Sequence, residues 1–299
     1  MTMTLRAAIE LASTHLQNLE GQEFDILQIS KPASVDALSN LGKIISKLSP
    51  IMGNLIEFNT VDFLNTIEEF SSIGHWERQD PGFPDAIFRS PISPAPGFEI
   101  KAWFPLATEI TARFKDSQKH FLNDETHVVI LAWLPEHLLW GKPKIIGVCV
   151  VSGASVAKAR DSHYHNPPDY IVFEPEDTSD RTANLQQTNT NGYKLQDTSS
   201  AKIKRAENLV NSWGADGKEY SIAQAYQDKL KQLLGICQYR LDTNFAKIDR
   251  IEHDGIESFK SEILNKEILG KSIKEWSRVI ANISEEDARQ ILEARPTEN

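Results

Sequence analysis

Two stretches, "HVVILAWL" at residues 127 to 134 and "KIIGVCVVS" at 144 to 152, carry almost no polar residue over the length of a strand. Successive side chains of a strand point to opposite faces, so a near-continuous apolar run is satisfied only where both faces are covered. Both runs are therefore expected inside a sheet with other layers packed on it. Shorter strands are expected at 85 to 90 ("DAIFRS"), 98 to 103 ("FEIKAW") and 169 to 173 ("DYIVF"). Between the second and third strands in sequence order, "LATEITARFKDSQKHFL" sets Leu106, Ile110, Phe114 and Phe121 at helical spacing, long enough to cross over the sheet. The fold class that follows is α/β, a central mixed β-sheet flanked by helices.

Helical periodicity governs both ends of the chain. From residue 4 to about 71 apolar residues recur three and four apart, and Ser34 and Thr60 stand where helix caps are expected. Past residue 200, "SIAQAYQDKLKQLLGICQYRL" reads as one long amphipathic segment, while Ser272 with Glu275 and Ser284 with Asp287 have capping-box spacing. Four regions result. Residues 1 to 72 form a helical region packing on the core, 73 to 175 the core, 176 to 200 a polar loop, and 201 to 299 a helical region available for dimerisation.

The chain has 299 residues, a formal net charge of -10 and no apolar run of about 18 residues, which argues against a membrane-spanning helix. "MTMTLRAAIELASTHLQ" reads as an amphipathic helix rather than a signal peptide, since Arg6, Glu10 and His15 interrupt it. Cys149 and Cys237 sit in apolar surroundings as small buried hydrophobes, which makes a reducing, cytoplasmic setting the expectation. Evenly spread negative charge would count against a nucleic-acid partner. Basic residues nevertheless gather at Lys142 and Lys144, at Lys158 and Arg160, and at Lys202, Lys204 and Arg205, as solvated surface or as a local binding face.

The sharpest chemistry lies in "FPDAIFRSPISPAPGFEIKAW", residues 83 to 103. Asp85 opens the first strand of this hairpin; Glu99 and Lys101 share one face of the second, while Phe98, Ile100 and Ala102 share the other. Two carboxylates on neighbouring strands suit Mg²⁺, which takes one or two protein carboxylates and completes its shell with waters and phosphate oxygens. An ammonium two residues on stabilises a nucleophile or developing charge in phosphodiester hydrolysis. A solvated Glu/Lys pair on a surface hairpin is the plainer alternative.

On Pro84-Asp85 and Glu99-Ile100-Lys101, followed by a helix and strands in the same order, the chain resembles the PD-(D/E)xK nuclease superfamily and, within it, type II restriction endonucleases. The likeness covers roughly residues 60 to 175 in topology and those few residues in motif. It implies Asp85, Glu99 and Lys101 as the catalytic residues, with Asp85, Glu99 and the Ile100 carbonyl as ligands of Mg²⁺ and Lys101 as a base-like or charge-stabilising group. Glu68 or Glu69 is implied as an accessory acid, unless both simply line a solvated helix face. The implied partner is double-stranded DNA bound by a homodimer, with two-fold protein symmetry matching a palindromic site.

Base readout needs Arg, Lys, Asn and Gln side chains. The loops after the fourth and fifth strands offer Lys158 and Arg160, then Arg181, Asn184, Gln186, Gln187, Asn189, Asn191 and Lys194, in a run whose composition also fits a linker.

Other patterns carry less. Asp161, His163 and His165 alternate in "RDSHYHNPPD", but without the third or fourth ligand zinc or iron demands the run reads as a polar loop. Pro168-Asp169 has no lysine after Glu174, so it reads as the start of a strand. Glycines in "SWGADGKEYS" lack phosphate-loop spacing, and Ser152 and Ser155 have no organised His/Asp partner in the sequence. The expectation is a Mg²⁺-dependent, site-specific endonuclease; a mismatch-repair-type nicking enzyme or a non-catalytic assembly protein on the same α/β scaffold are the alternatives.

Overall fold

A computed structural model describes residues 3–80, 82–106, 111–112, 121, 123–164, 172–174, 194–196, 199–214, 223–234, 236, 238–239, 246–247 and 252–294. Four helices come first: α1 (Leu5–Leu16), α2 (Val35–Ile44), α3 (Ser49–Asn65) and the single turn α4 (Glu68–Ser71). Strands β1 (His75–Arg78), β2 (Ala86–Arg89), β3 (Gly97–Trp103), β4 (Thr111–Ala112), β5 (Thr126–His137) and β6 (Trp140–Ser152) follow. Next come α5 (Gly153–Tyr164), β7 (Val172–Glu174), β8 (Lys194–Gln196), α6 (Ser200–Asn211), α7 (Gln224–Leu234), β9 (Gln238–Tyr239) and β10 (Ala246–Lys247). The chain ends with α8 (Asp254–Asn265), β11 (Glu267–Ile268), β12 (Lys271–Ser272), α9 (Ile273–Val279) and α10 (Glu285–Glu293).

Two compact units emerge. The first comprises residues 1–110, 123–153 and 254–299, and the second residues 111–122 and 154–253.

The first unit holds a five-stranded sheet in the order β1-β2-β3-β5-β6. Strands β1, β2 and β3 form an antiparallel meander, β3 and β5 run parallel, and β5 and β6 pair antiparallel. The α/β class with a mixed sheet is thus the observed one. Register explains the apolar runs: Val128, Val129, Ile130, Leu131, Ala132 and Trp133 of β5 are all buried, on both faces.

On one face, Trp76 lies opposite Phe88 and Ala86 opposite Phe98. Phe70 joins them in a cluster whose ring centroids are 4.9 to 5.6 Å apart. Helix α3 packs against β1 and β3, and its last residue, Asn65, ties down the outer strand: Nδ2 donates to the Trp76 carbonyl at 2.9 Å and Oδ1 accepts from the Trp76 N–H at 2.7 Å. Such side-chain pairing occupies backbone groups that an edge strand would otherwise offer to another chain.

On the other face, helix α8 lies against β6. Gly147 makes that approach feasible, since a Cβ there would stand 2.4 Å from Ile263 Cδ1 and 3.1 Å from the Phe259 ring.

In the second unit, β7, β8 and β9 form a three-stranded sheet and β4 pairs with β10. Several expectations are corrected by these placements. The strand expected at 169 to 173 is seen as β7, which pairs with β8 outside the main sheet, and the fifth strand of that sheet is β1. In "HWER" only Trp76 announces a buried position among four residues, so alternation does not reveal β1.

Thr60 is no cap; it is buried within α3, where its hydroxyl donates to the Ile56 carbonyl at 2.7 Å. Ser34 does cap α2, accepting from the Ala37 N–H at 3.2 Å, and Thr4 does the same for α1. The capping box at Ser272 and Glu275 has both of its reciprocal bonds, and Ser284 accepts from the Asp287 N–H. Among the described residues of the long segment expected at 221 to 241, α7 is helical and Gln238–Tyr239 is strand β9.

Of the expected crossover helix, residues 107 to 110, 113 to 120 and 122 lie outside the described residues. Thr111–Ala112 is strand, in keeping with the β-branched side chain of Thr111. Cys237 lies outside them too. Among the described residues no helix is long and apolar enough to cross a membrane.

Burial pushes the Cys149 thiol up from 9.0 to about 11, with the charge of Glu262 adding to the effect. Because the folded value exceeds the unfolded one, the neutral thiol contributes fully below pH ~9, and that contribution of roughly 2–3 kcal/mol is lost as pH rises through about 11. Urea midpoints should fall over that range in the wild type and less steeply in Cys149→Ala. A second test concerns the hairpin: a Cβ on Gly97 would stand 2.4 Å from Pro84 Cγ, so Gly97→Ala should cost ~1–3 kcal/mol by urea denaturation.

Candidate active site

Asp85, Glu99 and Lys101 come together. Ala86 lies opposite Phe98 across the β2–β3 ladder, so Asp85, one step before β2, falls opposite Glu99 on the face that Glu99 shares with Lys101. Gln79 fixes the turn before β2: its N–H donates to the Asp85 carbonyl and its Nε2 to the Pro84 carbonyl, both at 2.8 Å. The Asp85 carboxylate then reaches across and accepts from the Ile100 N–H at 2.7 Å through Oδ2.

The Lys101 ammonium sits between the acids. It donates to Glu99 Oε1 at 2.5 Å, to the Ile100 carbonyl at 3.1 Å and to Asp85 Oδ2 at 3.3 Å.

This is not a solvated surface pair. The side chains of Asp85, Glu99 and Lys101 are only 17%, 12% and 21% exposed. Their face continues into buried Val128 and Ile130, which lie opposite Glu99 and Lys101 on β5. Trp103 extends the same face toward α8, with its ring 5.9 Å from Phe259.

Burial pushes the Glu99 carboxyl up, and the Asp85 charge adds to this, while Lys101 opposes it. For Lys101, burial is the largest single influence and would lower it. The charges and hydrogen bonds of Glu99 and Asp85 together outweigh that and hold the ammonium above the usual lysine range.

Within the trio one polar atom is left over: Glu99 Oε2 is buried with no partner at hydrogen-bond distance, although the Asp85 N–H does act on the carboxyl and favours its charged form. A buried carboxylate oxygen without a donor is costly, and a hard cation is the partner such an oxygen takes. Asp85, Glu99 and the Ile100 carbonyl thus form an all-oxygen set that fits Mg²⁺ or Mn²⁺ better than a soft metal. Among the described residues no third Asp, Glu, His or Cys joins them in a metal-holding group. Glu68 and Glu69 are exposed on α4, with Glu69 Oε1 4.0 Å from His15 Nε2 of α1.

The other candidates fall elsewhere. Lys158 belongs to helix α5 rather than to a loop, and is exposed there. Lys194 belongs to strand β8. The side chain of Arg160 and residues Arg181, Asn184, Gln186, Gln187, Asn189 and Asn191 lie outside the described residues, as do His165, Pro168 and Asp169.

Asp161 and His163 lie within α5, which runs to Tyr164, rather than in the expected polar loop, and their side chains lie outside the described residues. Lys142 and Lys144 are met by acids of the first unit, Nζ to Asp25 Oδ1 at 2.5 Å and Nζ to Glu23 Oε1 at 3.8 Å.

Contacts between distant residues give the two serines partners that no short motif announces. Ser152 Oγ donates to Asp124 Oδ1 at 2.5 Å, and His127 Nε2 is 3.8 Å from Asp124 Oδ2. Here the hydroxyl meets the acid rather than the imidazole, the wrong order for activating a nucleophile. Ser155 Oγ and His253 Nε2 are 2.8 Å apart, within hydrogen-bond distance, across 98 residues of chain.

Comparison of the chain with protein families, with curated proteins and with solved structures finds no match.

The ion pair itself can be measured. A double-mutant cycle with Glu99→Gln and Lys101→Met should give a coupling of ~1–3 kcal/mol by urea denaturation, since removing either partner strands the other in a largely buried site. Additive effects would contradict the geometry.

Proposed function

We propose that the protein is a Mg²⁺-dependent type II restriction endonuclease, hydrolysing phosphodiester bonds in duplex DNA at a specific sequence. The observation that carries this reading is the convergence of Asp85, Glu99 and Lys101 on one largely buried face, with a carboxylate oxygen of Glu99 left without a partner at hydrogen-bond distance. The pairing of β3 with β5 supports it, since a parallel neighbour is what the crossover expected between those two strands requires.

Asp85, Glu99 and the Ile100 carbonyl would hold Mg²⁺, which when bound screens the phosphate and lends acidity to a water. The chain's own residues do the positioning. The Ile100 N–H locks the Asp85 carboxylate against β3, and the paired strands keep the acids from reorganising as charge develops. Lys101, held protonated by its neighbours, donates toward the attacking oxygen or a non-bridging phosphate oxygen. In-line attack leaves a 3′-hydroxyl and a 5′-phosphate.

We assign double-stranded DNA as substrate and a homodimer as the acting form, because a palindromic site is matched by two-fold symmetry. Of the residues expected to read bases, exposed Lys158 is the one whose side chain lies among the described residues.

The test is direct. Incubated with unmethylated plasmid and genomic DNA of mixed sequence, the protein should give discrete fragments with Mg²⁺ and none with EDTA. Lys101→Ala should lower cleavage at least ~100-fold while DNA binding at saturating Ca²⁺ changes little, because both carboxylates remain. Cleavage by Lys101→Ala at the wild-type rate would remove the lysine from the mechanism. Absence of cleavage on any DNA would favour the non-catalytic scaffold.

A further inference from the structure

We infer that Lys101 doubles as an internal counter-ion that holds the cation site in the absence of metal and is expelled from it when a divalent ion binds. The inference rests on the nuclease reading and concerns the control of its site.

The three oxygens that bond the Lys101 ammonium, Glu99 Oε1, Asp85 Oδ2 and the Ile100 carbonyl, come from the same three groups that would ligate the metal. A primary ammonium and a hydrated Mg²⁺ both take oxygen partners, but they cannot share one volume, and their like charges repel. The ammonium therefore solves one problem and creates another. It offsets the cost of bringing two carboxylates together on a face only 12% to 17% exposed, so the acids stay poised before metal arrives. It also competes with the metal for their lone pairs.

Geometry sets the direction of the exchange. Lysine has a flexible four-carbon stem and can swing its head aside without disturbing β3, whereas Asp85 is fixed by the Ile100 N–H and Glu99 by its strand. Glu99 Oε2 offers a contact that the ammonium does not make and an incoming cation can. Displacement leaves the ammonium beside the site, where a phosphate oxygen is the next anion within reach. Metal loading and phosphate capture are then coupled through one side chain.

The test uses the full chain without DNA and Mn²⁺ alone as the probe, with free ion read by electron paramagnetic resonance. Lys101→Met keeps the stem and removes the charge, and it should bind Mn²⁺ at least ~tenfold more tightly than the wild type at pH 8. Its Tm should lie below that of the wild type without metal, the gap closing at saturating Mn²⁺. Glu99→Gln should lose the ion.

Should Lys101→Met not fold, the wild type alone decides. Reductive methylation followed by mass spectrometry should modify Lys101 faster with Mn²⁺ than with EDTA, relative to surface lysines. Equal or weaker Mn²⁺ binding by Lys101→Met, or methylation of Lys101 indifferent to metal, overturns the counter-ion role while leaving a metal site in place. If neither the wild type nor Lys101→Met binds Mn²⁺, the nuclease reading falls and this inference with it.

Discussion

Two acids and a lysine share a face that water barely reaches, and the rest of the site follows from how that cost is offset. Removing a carboxylate from water is expensive, and bringing a second beside it more so. The protein sets three donations from one ammonium, and one from the Ile100 N–H, against that cost. Three features make these bonds available: the β2–β3 register that puts Asp85 opposite Glu99, the Gln79 bonds that fix the turn before β2, and the bare Cα of Gly97 that lets Pro84 approach.

The sheet supplies rigidity from behind. Trp76, Phe88 and Phe98 stack on the face opposite the acids with Phe70 against them, and α3 covers β1 and β3. Interiors packed in this way resist small displacements, so the positions of Glu99 and Lys101 are set by contacts on both sides of one strand. Parallel pairing of β3 with β5 brings Val128 and Ile130 beside the acids. Their apolar bulk lowers local polarity, strengthening each charge–charge contact and raising the cost of leaving any charge unpaired.

What the residues alone revealed divides along physical lines. Long apolar runs at 127 to 134 and 144 to 152 announced β5 and β6 because burial on both faces leaves no other composition. The Asp85, Glu99, Lys101 trio was legible because side-chain alternation in a strand is a fixed geometric rule. Strand β1 was not, since a four-residue edge strand needs only one buried side chain. Thr60 has the sequence context of a cap, but a β-branched hydroxyl beside an apolar run is equally suited to donate to the carbonyl four residues back, as it does to Ile56. Lys158 and the Asp161–His163 pair were read as loop because α5 is too weakly patterned for periodicity to reveal it. Burial of the trio was also hidden, because it comes from Val128 and Ile130, some thirty residues along the chain from Glu99 and Lys101.

The central claim is that these oxygens hold a divalent cation. The most direct measurement is a crystal structure of the protein grown with Mn²⁺, with the ion located by anomalous scattering at its absorption edge. The account predicts a single strong peak roughly 2.0–2.3 Å from carboxylate oxygens of both Asp85 and Glu99 and near the Ile100 carbonyl, with the Lys101 ammonium moved off it. A map with no peak there, and the ammonium still seated between the two acids at saturating Mn²⁺, would contradict it.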